Sequence, residues 1–300
     1  MGKIAFVFAG QGAQAVGMGK DLYDRFDSVR RLFELSAPTR ELCFNGPKEQ
    51  LNITINTQPA LFLVDLACAT VLLEKGAAAE GVAGFSLGEI PAACFCGLME
   101  PLQAFDFVCH RAKAMQECSK RQKGSMFAVL KLLADQVENI CTAIPQAWPV
   151  NYNCPGQTVV ACAENSADQL QRAVLERGGK VVKLAVSGAF HSPFMEAASG
   201  SIAAYLKNKS FGAMRIPLYA NATARIYDDP KELLAKQVDH PVLWQKTIEN
   251  MIGDGFDAFI EVGPGKTLSG LIKKINAGVR TYNVSDVESF ENTVKELEHV

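Results

Sequence analysis

Apolar positions along the chain fall into short blocks whose spacing switches between the two periods of regular structure. Ile4 to Phe8 is an unbroken apolar run ended by Ala9-Gly-Gln-Gly-Ala-Gln14, which predicts a buried first strand and a loop. Helical spacing follows from Asp21 to Leu35. Asn56-Thr-Gln-Pro59 then interrupts, and the run Ala60 to Leu73 predicts a helix buried nearly all round. Pro59 is expected in the first turn of that helix, where its missing N–H costs nothing. Gly81 to Phe85 is short, small and apolar, Ser86 stands between Gly84 and Gly88, and Glu89 to Cys96 resumes helical character. The order is strand, sharp turn, helix.

From Gly124 the pattern changes. Strands are expected at Met126–Leu130, Pro149–Asn153, Thr158–Ala163 and Lys180–Val186, with helices at Asp135–Ala143 and Ser166–Arg177. That βαββαβ order is the split, ferredoxin-like unit, and it fits within about sixty residues. Beyond it come a helix at Ala197–Lys207, a strand at Pro217–Ala220 and helices at Asp229–Gln237 and Leu243–Met251. A strand at Ala258–Val262 runs into Gly263-Pro-Gly265, and helices follow from Lys266 and over Glu288–Glu298. The expected fold is α/β: a large α/β-hydrolase-like subdomain over 1–123 and 188–300, interrupted by a small ferredoxin-like subdomain over 124–187.

Composition narrows the function classes. With 48 % hydrophobic and 21 % charged residues and a net charge of −2, the chain carries neither a nucleic-acid footprint nor a disordered charged tail. Nine cysteines lie singly, with Cys94-x-Cys96 the nearest pair, so neither a zinc ribbon nor a disulfide framework is indicated. Free thiols in a reducing cytoplasm are the expectation. The opening MGKIAFVFAG is too short in its apolar part for a signal sequence, and Ala60–Leu73, interrupted by Asp65, falls short of a bilayer span.

Three residues stand out chemically. Gly84-x-Ser86-x-Gly88 is common by chance, yet its strand-turn-helix setting is what a nucleophile elbow needs, because small neighbours let the hydroxyl project from a strained turn. A serine hydroxyl needs a base to take its proton. Of four histidines, His110 falls in a helix, His240 in a polar turn and His299 in the terminal helix. His191, in Ser187-Gly-Ala-Phe-His-Ser-Pro193 after the last strand of the small unit, is the candidate base; a loop imidazole bonded to a carbonyl is the plain alternative. Arg111 falls within the apolar stripe Ala104, Val108, Ala112, Met115 of a helix from Ala104 to Gln116. A guanidinium there calls for an anionic partner, either a protein carboxylate or a ligand carboxylate, and the sequence leaves both open.

Further motifs occur in order around these residues. They are Gly10-Gln-Gly12, Thr57-Gln-Pro-Ala60, Gly84-Phe-Ser-Leu-Gly-Glu89, Arg111 with Met115-Gln116, and Asn151-Tyr-Asn-Cys-Pro-Gly-Gln157. Gly188-Ala-Phe-His-Ser192, Gln237 before Pro241-Val-Leu-Trp244, and Glu261-Val-Gly-Pro-Gly265 complete the set. Together they resemble the malonyl-CoA:acyl carrier protein transacylase family over nearly the whole chain. The resemblance implies that Ser86 attacks the malonyl thioester, that His191 is its base, and that a backbone carbonyl at Gln237 orients His191 in place of an acid. It implies an oxyanion hole from the N–H groups of Gln11 and Leu87, and a carboxylate-binding role for Arg111. Met115 and Phe190 would line the acyl pocket, Phe190 excluding an α-methyl group, while Asn153 and Gln157 would line the pantetheine channel.

The implied substrates are malonyl-CoA and a phosphopantetheinylated acyl carrier protein, joined by a ping-pong route that needs no metal or redox cofactor. A monomer is expected. Where the family often has His before the nucleophile, this chain has Phe85, which puts rate and acyl preference in question. The alternative is a malonyl or acyl thioester hydrolase on the same scaffold. Its product would be free malonate, whereas a cation in the acyl pocket favours transfer of an anionic group. Lys113, Lys120, Arg121 and Lys123 cluster as a candidate docking patch for an acidic carrier, or as an ordinary solvated helix end.

Overall fold

The computed structural model describes residues 2–298. Among the described residues the strands are β1 (Lys3–Phe8), β2 (Gly81–Gly84), β3 (Gly124–Leu130), β4 (Ala147–Cys154), β5 (Gln157–Ala163), β6 (Lys180–Lys183), β7 (Leu218–Tyr219), β8 (Phe256–Val262) and β9 (Arg280–Val284). They form two sheets. The first is five-stranded and parallel in the order β7-β2-β1-β8-β9. The second is four-stranded and antiparallel in the order β4-β5-β3-β6, the arrangement that a βαββαβ chain takes up.

β1 lies at the centre of the parallel sheet, and Ala5 to Phe8 are fully buried, which explains their unbroken apolar run. Its register sets Phe8 level with Gly84 of β2 and Val262 of β8. The loops Ala9–Gln14, Phe85–Ser86 and Gly263–Gly265 therefore leave the same edge of the sheet side by side. In open parallel sheets this carboxyl edge is where ligands bind. The helix α1 (Thr54–Glu74) crosses the large layer, followed by α2 (Glu89–Phe95) and α3 (Pro101–Arg121). The helices α4 (Ala134–Thr142) and α5 (Ala167–Glu176) cover one face of the antiparallel sheet around a core of Phe127, Val129, Val160, Leu170 and Val174. The other face of that sheet, through Met126, Ala128, Val159 and Ala161, joins the main core.

Several elements differ from expectation for physical reasons. α1 begins at Thr54, so Pro59 lies inside the helix and not in its first turn. The polar residues that read as punctuation are used to tie the entry down: Thr57 Oγ1 donates to the carbonyls of Leu51 (2.6 Å) and Ile53 (3.1 Å), and Asn56 Nδ2 to that of Gln50. At 21 residues α1 is also long and apolar enough to cross a bilayer, but 83 % of its most apolar window is buried within the protein. The helical stretch Asp21–Leu35 is two helices, Lys20–Arg25 and Asp27–Phe33, broken where Phe26 turns extended and packs its ring edge-on against Phe290 at 5.4 Å. β6 stops at Lys183, three residues short. One more ladder bond, Leu184 N–H to Met126 O, ends the pairing. β9 has no counterpart in the sequence pattern: Arg280 to Asn283 are half-buried and mixed in polarity, as suits the edge of the sheet, and only Val284 is buried. His299 lies outside the described residues.

Candidate active site

The nucleophile turn is shaped by two glycines. A Cβ on Gly84 would lie 1.9 Å from the Gly88 carbonyl carbon, and one on Gly88 would lie 2.2 Å from the Phe8 oxygen, so the turn packs directly onto itself and onto β1. Between them Ser86 is held in the left-handed region at φ 51°. Asn221, just beyond β7, clamps this turn from the side: its Oδ1 accepts Ser86 N–H at 2.7 Å and its Nδ2 donates to Gly84 O at 2.6 Å. Sequence reading missed Asn221, since no periodicity marks a lone asparagine after a two-residue strand.

Ser86 Oγ stands 2.7 Å from His191 Nε2, and His191 Nδ1 stands 2.8 Å from the carbonyl oxygen of Gln237. A carbonyl can only accept, so the proton sits on Nδ1 and Nε2 keeps its lone pair toward the serine. His191 is 3 % exposed, and burial, followed by the charge of Arg111, lowers its pKa to about 4. The imidazole is thus neutral and ready to accept at neutral pH. His191 is itself left-handed, at φ 60°, with its N–H bonded to Val238 O.

The backbone N–H groups of Gln11 and Leu87 have no protein acceptor among the described residues, and both residues line the cavity beside Ser86. Two free N–H groups flanking a nucleophile suit an oxygen that acquires negative charge. The Gln11 side chain is turned away and donates to Thr54 Oγ1 at 3.0 Å.

Arg111, 1 % exposed on α3, reaches the same point. Its Nη1 donates to Gln58 Oε1 (2.6 Å), its Nη2 to Gln237 Oε1 (2.6 Å) and, at 3.4 Å, to Ser86 Oγ. Burial lowers its pKa to about 10, opposed by the charge of Glu89, and it remains a cation at neutral pH. Of the two anionic partners the sequence left open, a protein carboxylate is not in contact among the described residues: both strong partners are neutral amide oxygens.

The cavity between the two sheets has a volume of about 270 Å³. It receives Gln11, Ser86, Leu87, Arg111, Met115, Asn153, Gln157, Phe190 and His191, nine of the ten residues to which the resemblance gives a site role; Gln237 sits behind His191 and Arg111. Phe85 also borders it, with its ring edge-on to Trp244 at 5.5 Å. The antiparallel sheet contributes Met126, Ala128, Asn151 and Val159 to the far wall. Asn153 Oδ1 is buried there without a hydrogen-bond partner. The side chains of the other two described histidines lie apart from the site: His110 stacks on Tyr205 at 4.4 Å, and His240 bonds to Asp239 at its own turn.

A parallel sheet that gathers a serine-histidine pair, two free N–H groups and a buried cation at its carboxyl edge has the make-up of a serine acyl-transfer enzyme. Comparison with known proteins gives the narrower class. Residues 5–292 match the acyl transferase domain family. The malonyl CoA-acyl carrier protein transacylase of Bacillus subtilis is 34 % identical, covering 99 % of this chain and 98 % of its own. A crystal structure of a protein of that name from Clostridium perfringens is 37 % identical with a TM-score of 0.95, covering 99 % of this chain and 98 % of its own. A malonyl-transacylase solved in complex with a type II polyketide synthase acyl carrier protein is 32 % identical with a TM-score of 0.94, covering 98 % and 99 %. The chain belongs to the malonyl-CoA:acyl carrier protein transacylase family.

Proposed function

We propose that this enzyme moves the malonyl group from malonyl-CoA to the phosphopantetheine thiol of an acyl carrier protein through a malonyl ester on Ser86. The observation that carries this reading is the juxtaposition of Arg111 Nη2 with Ser86 Oγ at 3.4 Å, which sets a cation beside the nucleophile in the acyl pocket. Ser86 Oγ attacks the thioester carbonyl carbon while His191 Nε2 takes the hydroxyl proton. The tetrahedral oxygen is received by the N–H groups of Gln11 and Leu87, and the CoA sulfur departs with the proton from His191. In the second half the carrier thiol gives its proton to His191 and attacks the malonyl ester, and Ser86 Oγ recovers the proton. Arg111 pairs with the free carboxylate of the malonyl group, and Met115 and Phe190 close the pocket around it. Asn153, with its unpartnered Oδ1, and Gln157 line the approach of the pantetheine arm.

No metal or redox cofactor enters this sequence of bonds. One copy of the chain supplies every group named, so a monomer suffices. Nine unpaired cysteines fit a cytoplasmic setting. Brief exposure to malonyl-CoA followed by intact-mass measurement tests the reading. A malonyl adduct on wild type and none on Ser86→Ala protein is the expected result, and discharge to carrier protein, not to free malonate, separates transfer from hydrolysis.

A further inference from the structure

Arg111 is buried without a counter-ion in contact. Among the described residues no carboxylate lies within ion-pair distance of it, although the nearby Glu89 is 1 % exposed and feels its charge. The carboxamide of Gln237 separates the two. Its Oε1 accepts from Arg111 Nη2 at 2.6 Å and Nε at 3.2 Å, while its Nε2 donates to Glu89 Oε2 at 2.7 Å and to Ser86 O at 2.5 Å. On the other side of the guanidinium Gln58 Oε1 accepts from Nη1 at 2.6 Å. A buried cation is ordinarily satisfied by a carboxylate, which also cancels its charge. Here it is satisfied by two oxygens that cancel nothing.

We propose that Gln58 and Gln237 are specificity-determining residues for an anionic acyl group, and that Glu89 is a positioning residue that fixes which end of the Gln237 carboxamide faces Arg111. The two glutamines hold the guanidinium in place through neutral acceptors, so its charge is left for a ligand carboxylate. This rests on the reading of Arg111 as the group that pairs with malonate.

The orienting role of Glu89 follows from counting donors and acceptors. Glu89 Oε1 accepts from Asn221 N–H at 3.3 Å and from the Tyr227 hydroxyl, and Oε2 accepts from Gln237. As a carboxylate receiving three donors, Glu89 offers acceptors only, as does Ser86 O, so the NH₂ end of Gln237 must face them, and the oxygen is left for Arg111. With glutamine at position 89, the new side-chain oxygen stays on the Asn221 N–H, and its NH₂ turns toward Gln237. The Gln237 amide is then drawn to reverse, which sets its own NH₂ against the guanidinium, donor to donor. Tyr227, 4 % exposed and without a place in the cavity wall, belongs to this same device.

The measurement is the ratio of kcat/KM for malonyl-CoA to that for acetyl-CoA, with melting temperatures taken alongside. Arg111→Ala should collapse the ratio, on the order of 10²-fold or more, the scale of an unpaired buried charge. Gln58→Glu puts a carboxylate against Nη1 and should lower the ratio on the order of 10²-fold by occupying the cation from within. Gln58→Met keeps the length without the charge and should lower it far less. Glu89→Gln should lower it about 10-fold, the scale of one charge-assisted hydrogen bond, chiefly through KM for malonyl-CoA. If Arg111→Ala collapses the ratio but Gln58→Glu does not, or Gln58→Met lowers it as far, the neutral cradle is refuted while the reading of Arg111 stands. A ratio that survives Arg111→Ala overturns that reading and the proposal with it. Should Gln58→Glu fail to fold, Glu89→Gln decides from the other side of the cradle: an unchanged ratio there overturns the proposal.

Discussion

The two sheets face the same cavity but supply it differently. The parallel sheet and its helices bring the groups that carry a proton or a charge: Ser86 after β2, the Gln11 loop after β1, Arg111 on α3, and Gln237 after the helix α6 (Pro230–Lys236). The antiparallel sheet brings a wall of Met126, Ala128, Asn151, Asn153, Gln157 and Val159. His191 lies on the connection returning from one to the other. The difference follows from how each sheet ends. A parallel sheet gathers several loops at one edge, where backbone N–H groups and strained turns converge. The antiparallel sheet meets the cavity through the alternating side chains of one face.

The comparison predicts that the proton-transfer groups of the parallel body govern the chemical step, that its buried cation governs which acyl group is accepted, and that the antiparallel wall acts on binding of the pantetheine arm. The largest effect is expected from the proton-transfer pair. Ser86→Ala should abolish the covalent adduct, and His191→Ala should slow acylation by roughly 10²–10⁴-fold, the usual yield of a general base; intact-mass and stopped-flow measurements check both. Next, Arg111→Ala should cost malonyl-CoA roughly 200- to 5,000-fold in kcat/KM, from about 3–5 kcal/mol for a broken buried ion pair, with acetyl-CoA losing far less. Phe190→Ser comes third. Phe190 is 5 % exposed in the acyl pocket, and accommodating an extra methyl in a packed site costs about 1–3 kcal/mol, so the methylmalonyl-to-malonyl ratio should rise by roughly 5- to 150-fold in competition. Smallest should be Asn153→Ala, which removes one hydrogen-bond acceptor from the wall. Its effect is roughly 2- to 10-fold, confined to KM for CoA ester and carrier protein. A comparable fall in kcat for Asn153→Ala would break the division between the sheets.

Titration offers a further handle, because His191 and Glu89, both bonded to Gln237, are shifted in opposite directions. Burial holds His191 down at about 4, against 6.5 when unfolded. Between these values the unfolded chain binds more protons, so its contribution to stability is full above about 6.5 and is lost as pH falls toward 4. Burial raises Glu89 from 4.5 to about 7, against the hydrogen bonds of Tyr227, Gln237 and Asn221 and the charge of Arg111. There the folded chain binds more protons, so stability falls as pH rises through 4.5 to 7. The slopes oppose one another between about 4.5 and 6.5. In denaturant titrations the stability of Glu89→Gln protein relative to wild type should rise with pH across that window, because the substitution removes the opposing Glu89 slope.

Sequence reading succeeded where local pattern is strong. The βαββαβ unit was legible because each element carries a clean period, and the elbow because Gly84 and Gly88 flank a single serine between a strand and a helix. Ser86, His191 and Arg111 were legible as chemistry out of place: a serine in a tight turn, an imidazole in a loop, a cation in an apolar stripe. Asn221 was passed over, and Gln58 and Glu89 stood in quoted motifs without a role, because a buried amide or carboxylate has no periodicity of its own and gains meaning only from what it touches across the fold. The start of α1 was misplaced for a related reason. Thr54, Asn56, Thr57 and Gln58 are polar, and only the side-chain bonds of Thr57 and Asn56 to the preceding carbonyls show why helix forms there.

The left-handed backbone at Ser86 leaves a trace in stability that catalysis alone would not reveal. Ser86→Ala and Ser86→Gly both remove the hydroxyl, and they differ only in the Cβ that a positive φ penalises. That penalty is about 1–2 kcal/mol, offset by about 0.4–1 kcal/mol for the greater freedom of an unfolded glycine. Of two equally dead proteins, the glycine variant should therefore melt higher. Selection for a projecting hydroxyl keeps at this turn a residue that the fold, left to stability alone, would exchange for glycine, and drift in a lineage released from catalysis should run in that direction.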